Sequence, residues 1–439
     1  MTNLSSNCVK TNKLYGKKMM LWAHDLFPIC RSITGSGFLE TVSYIKNIHK
    51  ELTMITFKTG EKVFDWIIPK EWNILNSYIE HESGKKFAEF YNHNLHVLNY
   101  SKPIDKWMSK ESLLSHIYTQ PDQPDWIPYV TSYYEERWGF CMSENSKLEL
   151  PDGKYRAYID SELKDGNLNV VEILLPGDSK KEILFSTYIC HPSMANNELS
   201  GPVLQMALID YIKNSYIRSK YSYRFVFVPE TIGSIAYLSK KYKELRKKVI
   251  CGFNLSCVGD NRAFSHVESR LGDTLADCSI EASLIGKPNI KKYSFLDRGS
   301  DERQYCYPGI DLPVCGFSRS KYGEYPEYHT SADNFEVVNE EGLMGSFEVM
   351  SNIIDSFETC LVPENTILCE PQLGSRGLYP TISQKGTNMN LKLRMNILAY
   401  ADGTRNVFEL AKMLNLPLID INAEVRVLMD NELLINGDN

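Results

Sequence analysis

The order of apolar and polar positions divides the chain into helix-like and strand-like stretches. Residues 12–50 read as helix. Met19, Met20, Trp22, Ala23 and Leu26 form one apolar face, Thr34-Gly35-Ser36-Gly37 interrupts it, and Leu39, Val42, Ile45 and Ile48 continue in a second helix. Thr53–Thr59 reads as a strand that stops at Gly60. At residue 183 a continuous apolar run, ILFSTYI, gives way to a polar loop, CHPSMANNELSG. Val203, Leu204, Ala207, Leu208, Tyr211 and Ile212 then recur at helical spacing. Ser200 predicts the N-cap of that helix and Pro202 its first turn. RFVFVPETIGSIAYL repeats the strand–loop–helix pattern, with Glu230 at the strand end. KKVICGFNLSCVGD reads as a further buried strand ending near Asp260, and a helix is expected over Glu340–Cys360. Between Tyr155 and Leu175, two alternating strands flank Asp165-Gly166, a hairpin turn signal. Strands alternating with helices predict a mainly parallel sheet covered on both faces.

Two stretches break this rhythm. Between Glu61 and Lys147 helical periodicity fades, and short β-like pieces such as Val63–Ile68 and Leu95–Tyr100 take over. Five of the six tryptophans lie here (Trp66, Trp72, Trp107, Trp126, Trp138), so a small β-rich domain built on large rings is expected. The same rings could serve a carbohydrate or peptide surface. The Pro- and Gly-rich stretch from Leu361 to Gly386 reads as a linker. Beyond it, LKLRMNILAYA, VFELAKML and IDINAEVRVLMDNELLI form three short amphipathic helices, spaced as in a winged-helix module. The expected organisation is therefore an α/β domain from residues 1–60 and 148–362, an insertion over 61–147, a linker over 363–389 and a winged-helix-like domain over 390–439.

Composition narrows the function classes. A net charge of -7 opposes general nucleic-acid binding. The tail carries five basic residues (Lys392, Arg394, Arg405, Lys412, Arg426) against seven acids (Asp402, Glu409, Asp420, Glu424, Asp430, Glu432, Asp438), a net of -2, which points to packing or a protein partner rather than DNA. A homo-oligomer would also fit. The eleven cysteines form no CxxC pair, as expected of a reducing compartment. With no signal-like or membrane-length apolar run, the expected location is the cytoplasm.

Four strand-end segments carry the candidate chemistry: His191 with Asn196-Asn197-Glu198, then Glu230, then Gly299-Ser300-Asp301-Glu302, then Tyr328-His329-Thr330 with Asp333. In this order, ANNELSG, PETIGS, GSDERQYCYPGIDLP and YHTSADN resemble the motifs of the zinc aminopeptidase and glutaminyl cyclase superfamily. LFPICRSITG, VFDWIIPKEW, VTSYYEERWGFC and CHPS are similar to an aminopeptidase-like family with an aromatic-rich insertion and a winged-helix tail. Members of that family are often associated with surface-polysaccharide biosynthesis. The resemblance implies a phosphorylase/hydrolase-like zinc peptidase fold and a metal-dependent hydrolase of aminopeptidase type. Its substrate would be a small peptide-like or amine-bearing amide.

By that resemblance His191 and His329 are metal ligands, Asn197 stands in the bridging position, and Glu230 is either the remaining carboxylate ligand or the general base. Three acids of the family pattern are replaced, by Asn197, Thr231 and Ser256, so one zinc ion is expected rather than two. Asp301 and Asp260 are the spare acids that could compensate, and Arg319, Tyr322 and Tyr325 could orient the substrate. Each residue also has a plainer use. His191 could cap its loop, Glu230 could cap the following helix, His329 could bond Asp333, and Asp301 could be a solvated loop acid. The missing acids leave an alternative open: a non-catalytic protein on a peptidase scaffold that binds a metal or a carbohydrate.

Overall fold

An eight-stranded mixed sheet positions everything else. The computed structural model describes residues 2–379 and 389–437. The strands of the sheet are β1 (Thr53–Lys58), β2 (Asn167–Leu175), β3 (Glu182–Tyr188), β4 (Ser222–Val228), β5 (Val249–Leu255), β6 (Phe264–Val267), β7 (Ile290–Tyr293) and β8 (Val314–Ser318). Their order is β1-β2-β4-β3-β5-β8-β6-β7. The central neighbours β4, β3, β5 and β8 run parallel, while β1 and β2 join antiparallel on one side and β6 pairs antiparallel with β8 on the other. Every residue of β3 and β4 is buried, which explains their unbroken apolar runs.

The two faces are covered differently. One carries α1 (Thr2–Leu26), α2 (Ser36–Ile48), α3 (Ser200–Ser215), α5 (Leu275–Leu284) and α6 (Glu340–Thr359), packed on Ile183, Phe185, Phe225 and Phe253. The other carries α4 (Ile232–Lys248) and the aromatic-rich segment, packed on Leu184, Tyr188, Val226 and Val228. No helix among the described residues is long and apolar enough to cross a membrane.

The aromatic-rich segment extends past the boundary expected at residue 147. Its four-stranded antiparallel sheet is built from Lys86–Phe87, Glu71–His81, Lys154–Lys164 and Ile104–Ser109, in that order. The hairpin expected around Asp165-Gly166 does not form. Lys154–Lys164 pairs with Glu71–His81 and Ile104–Ser109, whereas β2 pairs with β1 and β4. Gly166 is instead anchored on Thr59, whose Oγ1 accepts from Gly166 N at 3.0 Å. Distant partners that bury both strands override the local turn signal.

The tail is a winged helix with a boundary different from the expected one. Its helices are α7 (Met389–Tyr400), α8 (Val407–Leu414) and α9 (Leu418–Asp430). The third helix, expected to reach Ile435, stops at Asp430; Glu432 adopts φ 58° and Leu434–Asn436 pairs antiparallel with Pro363–Asn365. The expected linker thus begins as a strand of the tail domain, and residues 380–388 of it lie outside the described residues. The tail packs on the α/β domain. Phe408 meets Phe357 with ring centres 5.6 Å apart, and Ser356 Oγ donates to Asn422 Oδ1 at 3.0 Å.

Candidate functional site

The carboxyl ends of β3, β4, β5 and β8 open onto loops that hold most of the candidate residues, where ligands sit in open α/β sheets, and Asp301 comes from the segment between β7 and β8. Backbone strain gathers there, with Ser193, Thr231, Cys257 and His329 at φ of 44°, 64°, 53° and 57°. After β3, residues Ala195–Leu199 form a π-helical turn that runs straight into α3. Ser200 is therefore inside the helix at φ -59°, not at its cap. The cap comes from far along the chain. Asp333 Oδ1 accepts from Asn196 N at 2.6 Å and Oδ2 from Asn197 N at 2.9 Å, a placement the helix dipole favours. Tyr325 O–H donates to Asp333 Oδ2 at 2.9 Å. His329 does not bond Asp333 in this arrangement; its Nε2 is buried and without a hydrogen-bond partner.

His191 is held from one side and open on the other. Its Nδ1 lies 2.8 Å from Glu198 Oε2, and its Nε2 lies 3.6 Å from Glu230 Oε2. Buried Arg31 braces this pair, with Nε 3.5 Å from Glu198 Oε1 and 3.0 Å from His191 O. The rings of His191 and His329 are 5.5 Å apart at 39°. Two imidazoles sharing one tetrahedral zinc at ~2.1 Å have ring centres roughly 5 Å apart, so this separation fits a shared ion. Tyr328 stacks on His329 at 3.9 Å, and Tyr129 of the insertion meets both imidazoles edge-on at 5.2 Å. The insertion is fastened over the site by Tyr129 N donating to His329 O at 2.8 Å and Ser331 N donating to Ile127 O at 2.9 Å.

Burial sets the electrostatics. It pushes the carboxyls of Glu198 and Glu230 up to about 8, and for Glu230 the neighbouring Asp301 adds to the rise. Burial also raises Asp301 and Asp333 to about 6 and pulls both His191 and His329 down to about 3. A crevice of proton-holding acids beside neutral imidazoles with free nitrogens suits a cation. Unpartnered buried atoms at the site point the same way: Asn197 Oδ1, His329 Nε2 and Asp301 Oδ2. Among the described residues, triads of histidine, cysteine and acid donors within 4.8 Å of one another are Cys190–His191–Glu198 and His266–Asp277–Cys315. The first lies on the Nδ1 side of His191 and supports the ring. The second is an internal network in which Asp277 accepts from His266, Ser269 and Thr274.

The structure brings His191, Asn197, Glu230 and His329 to one crevice, with Asp301 beside Glu230. Asp301 is fully buried, not solvated, and its Oδ1 accepts from Thr231 N at 2.8 Å and Ser234 Oγ at 2.6 Å. It, rather than Glu230, meets the start of α4. The other expected site residues are otherwise engaged. Asp260 accepts from Ser320 N, Ser320 Oγ and Arg262 N, each at 2.9 Å, so it has no capacity to spare for a metal. Arg319 donates to the carbonyls of Ala263 and Gly342 and lies over Phe264, so it is a structural brace and not a substrate contact. Tyr322 and Tyr325 also turn inward. Tyr322 O–H donates to Glu302 Oε1 at 2.6 Å, and Tyr325 holds Asp333.

The sequence matches the model of a domain of unknown function, DUF4910, over residues 20–360, and a winged helix-turn-helix model over 361–436. The chain belongs to the DUF4910 family. A relative from Clostridium acetobutylicum, 44% identical over 362 residues and covering 82% of each chain, is named for polysaccharide biosynthesis with an aminopeptidase-like domain. A solved structure from the same organism, provisionally titled a peptidase, is similar over 98% of both chains at 37% identity and a TM-score of 0.90. The zinc aminopeptidase BSAP of Bacillus subtilis shares the fold of this DUF4910 chain at 12% identity, with a TM-score of 0.57 over 78% of this chain and 94% of that one. The aminopeptidase-like α/β scaffold with a winged-helix tail is thus established for the chain.

Sequence reading assigned no role in the site to Arg31, Cys190, Tyr129 or Arg303, and treated Glu198 as part of a loop motif. Arg31 and Tyr129 lie about 160 and 60 residues from His191 in sequence, and no periodicity links such positions. Glu198 lies seven residues after His191, but only the π-helical turn brings its carboxylate back to the ring.

Proposed function

We propose that the chain is a one-zinc amide hydrolase of aminopeptidase type, with His191, His329 and Glu230 as the ligands. What carries this reading is the shared crevice of two neutral imidazoles and a carboxyl, His191 and Glu230 just past strand ends and His329 on the loop after β8. Two histidines, one carboxylate and an open position for water form a recurrent catalytic zinc set. Glu230 Oε2 at 3.6 Å from His191 Nε2 is close to the roughly 3.3 Å between neighbouring donors on tetrahedral zinc. Asn197 would lend at most a neutral oxygen, which supports one ion over two.

Zinc bound there would polarise the scissile carbonyl and lower the pKa of a water towards about 7. The residues of the chain do the rest. Off the metal, Glu230 would be the base instead of a ligand: 24% of its side chain is exposed, and its raised carboxyl would suit taking a proton from water and returning it to the leaving nitrogen. The acid pair with Asp301 keeps that proton affinity high. Tyr129 and Tyr328 wall the imidazoles and exclude bulk water. The name of the Clostridium relative makes amide-linked groups on carbohydrate precursors substrates to test beside aminoacyl amides.

The test is metal analysis and amide hydrolysis on wild type, His329→Ala and Glu230→Gln. His329→Ala should lose stoichiometric zinc; full retention would sink the ligand assignment. Glu230→Gln should lower the rate by at least about 10²-fold and weaken zinc binding. Lost rate with undiminished zinc would leave Glu230 as base alone. The replacement of family acids by Asn197, Thr231 and Ser256 favours a second reading, a metal-binding protein without turnover. Zinc retention with no metal-dependent release of amine from either substrate class would establish it.

A further inference from the structure

Among the described residues, Arg31 (Nη2), Arg137 (Nε) and Arg303 (Nε) each have a buried guanidinium nitrogen that no acceptor meets, but Arg31 and Arg137 also pair with a glutamate. Arg224 is matched by Glu172 and Glu182 at 2.6 Å, Arg31 by Glu198 and two carbonyls, and Arg319 by two carbonyls. Arg303 makes one hydrogen bond, from Nη2 to Thr231 Oγ1 at 2.5 Å, and its buried Nε has no acceptor. Among the described residues it forms no ion pair within 4.0 Å. Glu230 and Asp301 balance part of its charge, but no acceptor meets the buried Nε, and an orphaned donor in a native structure calls for a water, an ion or a functional partner.

Its position says where such a partner would arrive. Thr231 directly follows Glu230 and is held at φ 64°, a conformation that a β-branched residue rarely adopts. It is fixed by Asp301 on its N–H and by Arg303 on its hydroxyl. The guanidinium is within electrostatic reach of Glu230, of Tyr328 stacked on His329, and of Tyr134 from the insertion. It therefore stands next to Thr231, on the Glu230 side of the crevice.

We propose that Arg303, steadied by Thr231, is a specificity residue that binds a carboxylate of the substrate, making the preferred substrate a carboxylate-bearing amide. This rests on the hydrolase reading of the same crevice. A guanidinium presents parallel N–H donors to a carboxylate in a planar fork, which an ammonium does not. A carboxylate fits better than a phosphate dianion because Glu230 and Asp301 already stand nearby, and each added negative charge meets their repulsion.

Two arms test it on zinc-loaded full-length protein. In the first, glutarate and its neutral counterpart glutaramide are titrated calorimetrically into wild type, Arg303→Gln and Arg303→Lys. Glutarate should bind wild type about 10- to 100-fold more tightly than glutaramide, Arg303→Gln should lose the difference, and Arg303→Lys should keep part of it. Zinc content should be the same in all three. In the second arm, γ-carboxylate and γ-amide versions of one aminoacyl anilide are compared. Wild type should favour the acid through KM, and in Arg303→Gln the ratio of KM for amide to KM for acid should fall to about one. If neither anilide is cleaved, the hydrolase reading fails, and the titration still decides Arg303. Equal affinity for glutarate and glutaramide, tighter binding of inorganic phosphate than of glutarate, or an unchanged preference in Arg303→Gln overturns the proposal.

Discussion

Glu198 grips His191 from behind: its Oε2 lies 2.8 Å from Nδ1, on the side of the ring away from Glu230. For Nε2 to offer its lone pair, Nδ1 must carry the proton and Glu198 must accept it. Arg31 favours that state by steadying the ionised carboxylate. Carboxylates placed like this tune a metal site by about 10- to 100-fold in affinity. Glu198→Gln should therefore weaken zinc binding by that factor in a chelator competition while leaving the fold intact. An unchanged affinity would mean that Glu198 only fills space.

Acid should strip the metal. Glu198 and Glu230 hold protons up to about 8, so zinc must displace them, and affinity should climb as pH rises from about 6 to 8 with protons released on binding. In metal-stripped protein the same two carboxyls act on stability. Their folded values lie above the ordinary 4.5, so the native state binds more protons between 4.5 and about 8, and their contribution is lost as pH rises through that window. His191 and His329 act lower down. Held neutral to about 3 against an ordinary 6.5, they make stability fall as pH drops below 6.5. Melting temperatures of stripped protein should thus peak on the acid side of neutrality and shift towards higher pH when zinc is added. A peak at the same pH with and without zinc would contradict the assignment.

Tyr129 couples the insertion to the chemistry. Tyr129→Ala removes a ring that touches both imidazoles, a truncation of a size that typically costs about 3–5 kcal/mol. Zinc loss to a chelator should accelerate, and amide exchange should rise in residues 326–331, whose backbone pairs with the insertion at Ile127 and Tyr129. Unchanged exchange there would mean that the cover is fastened by other contacts.

The tail should behave as a structural part of the α/β domain rather than a DNA reader. Leu418, Ile421 and Val425 of α9 are buried in the same core as α6, and Lys412 pairs with Glu281. Phe408→Ala should lower the melting temperature of the whole chain in a single transition. No salt-dependent DNA retention is expected even at low ionic strength; measurable binding there would overturn this view.

Much of the fold is legible along the chain because its strands are buried on both faces and its helices carry one apolar stripe. The boundaries that went astray, at Asp165-Gly166 and at Ile435, are places where distant strands compete with a local signal. In the site, His191 and Glu230 stand out because each closes a strand, and His329 because of the Tyr328-His329-Thr330 motif around it. Asp260 and Arg319 share that setting, yet their side chains are absorbed by backbone donors and carbonyls. Only three-dimensional hydrogen-bond partners separate the two groups.

The strand Lys154–Lys164 is paired in the smaller sheet, and after two residues the chain becomes β2 of the larger one. A fragment ending at residue 147 would leave Glu71–His81 without its main ladder partner. The cover cannot be transplanted between scaffolds as a cassette, nor lost in one deletion, without tearing the sheet that frames the crevice. Diversification of this enzyme-like scaffold would have to proceed by substitution within the cover rather than by exchange of it.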